Sequence, residues 1–364
     1  MDKRFEVPGV DATTPLAYAA PALLLAKADP LFDLEDAARG GADMDAVHDM
    51  RVASRRLREA LRLLEPLYPG KAFRTWYRRI RRITRALGPV RDSDVFIDEF
   101  SRLVPDLGEG GRRAVAFLVG YRTGQRVHEL ERLNAELGRL DLARTRSGFT
   151  AFAHALRPGT DGQRPLAAFA HAAIAERAAA VFGAQPAALD IENVAAQHAL
   201  RIDYKQLRYA VEALAPCYGD AFDDLHGTLT SFQDVLGDLH DVHVFLDMLR
   251  DSDRIAAAAR AGVSTDDLDE IVTLLETRFQ REFERFTKLA TKRPAELLLP
   301  RLLLPLAAAH SVSGAAEGAE SAVEPPSDES TDVEIPVLSP VTVGEEPWEE
   351  GWAETEARVS DIVP

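Results

Sequence analysis

Four side chains, His48, Arg51, Arg55 and Arg58, return 150 residues later as His198, Arg201, Lys205 and Arg208. Both sets are spaced three, four and three residues apart, the interval that stacks side chains along one face of an α-helix. The repetition goes further. Leu87-Gly88, Arg91-Asp92 and Val95-Phe96 reappear at nearly the same offset as Leu236-Gly237, His240-Asp241 and Val244-Phe245. Two units of one plan make up most of the chain, and the shared interval makes both of them helical.

Apolar residues follow the same period. On the first motif helix Met50, Leu57, Leu61 and Leu64 form a face centred about 140° from the basic stripe, at about 100° per residue. That helix is expected to stop near Pro66, with Pro69-Gly70 as a turn. A second basic stripe, Lys71, Arg74, Arg78, Arg81 and Arg85 with Arg82 beside it, is backed by Phe73, Trp76/Tyr77, Ile80, Thr84 and Leu87. Gly88-Pro89 reads as the end of this helix, a third begins near Arg91, and a fourth fills most of 109–139. Short turns between amphipathic helices predict a helical bundle. The second unit repeats the plan, with helices at about 165–183, from about 192, at 219–236, 240–250 and 265–293. Leu200, Tyr204, Leu207, Val211 and Leu214 supply the core face of its motif helix, and Phe279, Phe283 and Phe286 that of the last one. That last helix also carries Arg278, Arg281, Arg285, Lys288 and Lys292 at intervals of three and four. Strand signals are nearly absent.

The formal charge of −16 hides how the charge is distributed. Residues 311–364 hold 14 acidic side chains and one basic, Arg358, so −13 belongs to them and only −3 to the first 310 residues. Between His48 and Arg91 there are 13 Lys and Arg against 3 Asp and Glu. An acidic tail masks a basic belt. Scattered prolines and lost periodicity predict that the 311–364 tail is disordered in isolation. Three roles are open to it: a solubilising extension, a tethered polyanion that competes for the basic belt, or a docking segment through Trp348 and Trp352 for a partner protein. A single cysteine, Cys217, excludes an internal disulfide framework. There is no run of 18 consecutive apolar residues and no signal-peptide core at the N-terminus, so the expected place is the cytoplasm, with no membrane partner.

Like charges one turn apart repel by a few tenths of a kcal/mol per pair, and a helix selected only for stability would intersperse glutamate. Stripes of guanidinium groups instead suit phosphate oxygens, which their forked donors match. His48 to Arg62 spans about 21 Å at 1.5 Å per residue, so the implied ligand is a linear polyanion. A histidine among cations is disfavoured in its charged form, which points to hydrogen bonding for His48 and His198 rather than acid–base catalysis.

The segments His48-Asp49-Met50-Arg51-Val52-Ala53-Ser54-Arg55-Arg56-Leu57-Arg58 and His198-Ala199-Leu200-Arg201-Ile202-Asp203-Tyr204-Lys205-Gln206-Leu207-Arg208-Tyr209, with the two Leu-Gly-x-x-(Arg/His)-Asp segments, resemble the CHAD domain family. The resemblance covers roughly residues 13–310. It implies an all-α fold of two pseudo-symmetric four-helix bundles, about 13–145 and 165–310, that binds inorganic polyphosphate in a basic channel; association with polyphosphate granules is a role such binding would suit. By resemblance, His48, Arg51, Arg55, Arg58, His198, Arg201, Lys205 and Arg208 line that channel. Arg74, Arg78, Arg81, Arg82, Arg85, Arg278, Arg281, Arg285 and Lys288 join them on helical spacing alone. The second unit departs from the plan, because Asp220, Asp223 and Asp234 stand where the first has its second basic stripe. The alternating Glu-x-Glu-x-Lys signature of the triphosphate-tunnel domain that many relatives carry is also missing.

Two other classes compete with this reading. A metal-dependent phosphohydrolase or phosphotransferase would need converging ligands, and His240, Asp241 and His243, with Asp92 and Asp94, form the best cluster, although an Asp after a Gly-containing turn is commonly a first-turn helix residue. Nucleic acid is disfavoured because Trp76, Tyr77 and Tyr209 fall on or beside apolar faces rather than standing free for base stacking. Nucleophile elbows, phosphate-cradling loops and paired cysteines are all lacking. The expectation is a binding module without cofactor, metal or catalytic residue.

Overall fold

A computed structural model describes residues 5–40 and 44–317. Twelve α-helices occur among them: α1 Leu16–Asp33, α2 Glu35–Gly40, α3 Met44–Leu64, α4 Gly70–Leu103, α5 Glu109–Leu140, α6 Leu142–Ala153, α7 Leu166–Ala188, α8 Val194–Ala213, α9 Phe222–Arg250, α10 Ser252–Arg260, α11 Thr265–Lys292 and α12 Ala295–Glu317. Among the described residues the only β-type pairing is an isolated bridge between Pro15 and Pro165. The fold is all-α. The expectations for the tail fall almost wholly on 318–364, outside the described residues.

Positions 150 apart meet at that bridge. Leu16 N–H donates to Arg164 O and Leu166 N–H to Thr14 O, both at 3.0 Å, while Ala17 N–H reaches Gly162 O and Ala167 N–H reaches Ala12 O, both at 2.9 Å. Each half thus supplies acceptors for the exposed N-terminal donors of the other half's first long helix. Tyr68 and Tyr218 show the same offset: one hydroxyl donates to Ala153 O of α6 at 2.8 Å, the other to Leu302 O of α12 at 3.1 Å.

The apolar faces read from the sequence are buried. Met50, Leu57, Leu61 and Leu64 of α3 and Leu200, Tyr204, Leu207, Val211 and Leu214 of α8 are fully enclosed in a main core to which both halves contribute. A second core joins the C-terminal end of α4 and the start of α5 to the ends of α9, α10 and α11, again across the halves. Residues up to Ser311 form one compact unit. It begins earlier than position 13, because Phe5, Val7 and Val10 belong to the main core.

Two predicted helix ends are corrected. Gly88-Pro89 does not terminate a helix, and α4 runs through it from Gly70 to Leu103. An interior proline costs about 3 kcal/mol. Burial of Ile80, Ile83 and Leu87 in one core and Phe96 and Phe100 in the other, at about 1.5–3 kcal/mol per side chain, outweighs it. Likewise the segments expected at 219–236 and 240–250 are one helix, α9, passing through Gly237. These two helices tie the cores together. The first half also extends beyond position 145, since α6 continues to Ala153.

Helix α7 is long and apolar enough by composition to cross a membrane. Here Leu166, Phe169, Ile174 and Val181 are spent on the main core, and Arg177 of the same helix reaches Glu59 of α3 at 3.3 Å.

Candidate functional site

Helix α3 buries its apolar side and so turns its basic stripe along α4. Arg51 Nη2 lies 3.5 Å from Asp92 Oδ1, and its Nη1 fills the space that a Cβ on Gly88 would need, at 2.7 Å. The glycine lets a guanidinium lie against the helix. Burial holds Arg51 down to about 10, Asp92 opposing and Arg55 and Arg91 adding to the depression. Arg58 Nη2 donates to the Tyr77 hydroxyl at 3.2 Å, and Arg58 and Arg62 both lie over the Tyr77 ring, 5.5 and 5.7 Å from its centroid. Arg58 Nε is buried without a hydrogen-bond partner.

The α4 stripe runs beside this one, since Arg78, Arg81 and Arg85 continue at three- and four-residue intervals into Gly88 and Asp92. Arg78 Nε donates to Arg74 O at 3.2 Å. Among the described residues, Arg55, Arg58, Arg74 and Arg78 form no ion pair with a carboxylate. Arg82 leaves the stripe and pairs with Glu136 of α5. His48 is half-buried and shifted below its ordinary value by burial, then by Arg91 and Arg55 against Asp49 and Asp45. The shift disfavours the charged form of the imidazole.

The second rail lies on α8, which packs against α3. His198 Nδ1 and His240 Nδ1 of α9 share a hydrogen bond at 3.0 Å. The enclosed space beside them, lined by Val194, Gln197, Leu236 and His243, is about 10 Å³, room for no more than one water. Arg201 faces Asp241, and Lys205 is half-buried on the same stripe. Arg208 differs from its counterpart Arg58. It is buried, donates to Gln233 Oε1 at 2.6 Å and is paired with Glu212. The position matching Gln233 in the first half is Thr84, whose hydroxyl donates to Ile80 O, which leaves Arg58 Nε without an equivalent acceptor.

The α11 stripe has the same spacing and a different electrostatic setting. Arg278 meets Glu99 at 2.5 Å, Arg281 meets Glu282 at 3.3 Å, Arg285 meets Glu282 and, at 3.5 Å, Asp238, and Lys288 meets Glu284 at 3.4 Å. Each of these cations has a carboxylate of its own chain. Arg278, Arg281, Arg285 and Lys288 are thus set apart from the α3–α4 stripes by their partners.

The residues weighed as metal ligands are engaged in different directions. Asp92 turns to Arg51, Asp94 is fully buried against Arg126 of α5, His240 holds His198, and His243 meets Asp247 at 3.3 Å. Among the described residues no three His, Cys, Asp or Glu side chains converge on a common point.

Sequence reasoning missed the buried ion pairs. Glu212, 1% exposed, accepts from Arg56 Nε at 2.7 Å across the α3–α8 seam, from Arg208, and from His226 at 2.9 Å. Glu129 of α5 accepts from Ser93 of α4. The i, i+4 spacing of Arg208 and Glu212 was a usable signal; Arg56 and His226 lie far away in sequence.

An all-helical protein whose paired helices carry guanidinium stripes, in which Arg55, Arg58, Arg74 and Arg78 meet no described carboxylate, is thereby defined. The chain belongs to the CHAD domain family, whose model matches residues 22–250. That family is associated with polyphosphate binding and is generally a binding module. The structure is similar to the crystal structure of the CHAD domain from the plant Ricinus communis, with a TM-score of 0.60 and 22% identity, covering 82% of this chain and 95% of that one. It is also similar to PptA from Streptomyces chartreusis, with a TM-score of 0.55 and 19% identity over 76% of this chain and 100% of that one. At these identities the likeness is one of fold. No curated protein matches the chain.

Proposed function

We propose that this protein binds inorganic polyphosphate along the α3–α4 face, with α8 beside it, and performs no chemistry on it. The observation that carries this reading is the mismatch between cations and carboxylates there. Arg55, Arg58, Arg74 and Arg78 have no acidic partner among the described residues, and Arg51 is desolvated with one 3.5 Å contact to offset the cost. Desolvated guanidinium groups gain most from an anion that supplies acceptors in series. Such an affinity would gather the protein on polyphosphate granules in the cytoplasm.

Long-chain polyphosphate should bind the full chain with a steep inverse dependence on salt. It should resist displacement by RNA at equal phosphate concentration and release no phosphate when Mg²⁺ or Mn²⁺ is added. Displacement by RNA would hand the site to nucleic acid, and steady phosphate release would make the protein an enzyme.

The two Leu-Gly segments provide a second test. Gly88→Val drives a side chain into the place of Arg51 Nη1, whereas a Cβ on Gly237 meets nothing within 4 Å. Gly88→Val should weaken polyphosphate binding on the order of tenfold, the worth of one charge-assisted hydrogen bond. Gly237→Ala should leave binding unchanged and stabilise α9 by up to about 1 kcal/mol. Titration calorimetry and urea unfolding measure the two effects.

A further inference from the structure

The duplication lets one place be compared in both halves. Arg58 and Arg62 of α3 match Arg208 and Glu212 of α8 at an offset of 150, and Phe73 and Tyr77 of α4 match Phe222 and His226 of α9 at 149. The aromatic pairs are alike: Phe73 stacks on Tyr77 with centroids 5.7 Å apart, and Phe222 on His226 at 5.2 Å. The charges differ. In the second half Glu212 is paired with Arg208, accepts from Arg56 Nε at 2.7 Å and meets His226 Nε2 at 2.9 Å. A buried carboxylate there is wrapped by two guanidinium groups and an imidazole. In the first half an arginine, Arg62, stands at that carboxylate's position. Arg58 and Arg62 both lie over the Tyr77 ring, the Tyr77 hydroxyl accepts from Arg58 Nη2, and Arg58 Nε is buried without an acceptor. Glu59 lies 3.8 Å from Arg62 but is held at 3.3 Å by Arg177 of α7. Arg58, Arg62 and Tyr77 are all partly exposed, whereas Glu212 is 1% exposed.

We propose that Arg58, Arg62 and Tyr77 form an anchoring subsite for one phosphate of the chain, at the place that Glu212 fills in the second half. The inference rests on the polyphosphate reading of the face and makes that binding one-sided. Stacking on the phenol ring holds both guanidinium groups in place, so little side-chain freedom is lost when an oxyanion arrives. The Tyr77 hydroxyl accepts from Arg58 and keeps its own proton to donate to a phosphate oxygen. Arg74 and Arg78, exposed on either side of Tyr77 along α4, receive the neighbouring phosphates. In the second half a phosphate would first have to expel a buried carboxylate from its cations, which is strongly unfavourable. Glu212 is thus the protein's own occupant of a site that its counterpart leaves to the ligand.

The experiment titrates long-chain polyphosphate into the full chain and its variants across a salt series. Arg62→Glu copies the second half's carboxylate into the first, four residues after Arg58 as Glu212 is after Arg208. It should weaken binding on the order of 100-fold, about tenfold for the lost guanidinium and about tenfold for Arg58, now occupied. Arg62→Gln removes the cation without supplying an occupant and should lose only about tenfold. Tyr77→Phe keeps the ring and every cation, so affinity should fall several-fold with the salt slope unchanged, which separates positioning from charge. Arg250→Glu, at the far end of α9 and paired with Glu276, changes the net charge as much as Arg62→Glu and should bind like wild type. Equal losses in Arg62→Glu and Arg62→Gln, or a loss in Arg250→Glu as large as in Arg62→Glu, would overturn the subsite while the binding reading stands. If circular dichroism shows Arg62→Glu to be unfolded, Arg62→Gln and Tyr77→Phe decide, and wild-type affinity in both overturns the subsite. Absence of polyphosphate binding by the wild-type chain would remove both.

Discussion

Replacing Arg55, Arg58, Arg74 and Arg78 together by alanine should weaken polyphosphate binding on the order of 100-fold at low salt and make the salt dependence shallower by about three units of slope. Replacing Arg278, Arg281, Arg285 and Lys288 together should leave affinity within about threefold. Each variant removes four cations, so a response to net charge alone would be the same for both. The difference arises from their partners. The α11 cations surrender a carboxylate before they can meet a phosphate, and removing them also releases Glu99, Asp238, Glu282 and Glu284. Arg55, Arg58, Arg74 and Arg78 hold no carboxylate among the described residues, so their whole interaction with a polyanion is gained on binding. Equal losses in the two variants would show that net charge, rather than the local pairing, governs the interaction.

Glu212→Ala should cost about 3–5 kcal/mol of stability, the usual price of breaking a buried ion pair from one side. Against a typical total of about 5–15 kcal/mol this is a large share, to be read from the urea midpoint. Its carboxylate lies among Arg56, Arg208 and His226, with buried Lys27 close enough to feel it. Without it three cations would remain uncompensated where helices α1, α3 and α8 meet. The pH dependence has a definite sign. Burial pushes the carboxyl up, but His226, Arg208 and Arg56 overcome this and hold it down to about 2, below its ordinary 4.5. A depressed acid contributes its stabilisation in full above the unfolded-state value and loses it as pH falls through the folded one. Wild-type protein should therefore lose stability between about pH 4.5 and 2 through this residue. Glu212→Gln should be flatter over that window.

Much of the fold was legible because the helical period is explicit in α3 and α8, where each predicted apolar residue is enclosed. The misread helix ends at Gly88-Pro89 and near Gly237 have one cause. Local propensity marks a break, and the packing of α4 and α9 into two cores overrides it. Helix α1 is apolar around most of its circumference and contains Pro21 and Pro30, so it gave no clear periodic signal. The α11 stripe was read as equivalent to the others because its arginines share their spacing. Glu282 and Glu284 stand between those arginines in the sequence and already distinguished it, whereas Glu99 and Asp238 come from other helices and could be placed only by the fold. Arg208 was legible as a rail residue by spacing and its Glu212 partner by the i, i+4 interval, yet its engagement with Gln233 depended on the meeting of α8 and α9.

The crossed main-chain bonds at Leu16, Ala17, Leu166 and Ala167 bear on what counts as a complete folding unit. Neither half satisfies the first donors of its leading helix from within itself; each borrows the loop that introduces the other. A fragment holding one rail alone would carry orphaned amides at its entrance and an unroofed core beneath. The two rails are therefore obliged to form together, and their alignment is inherited from an interlock on a different part of the molecule.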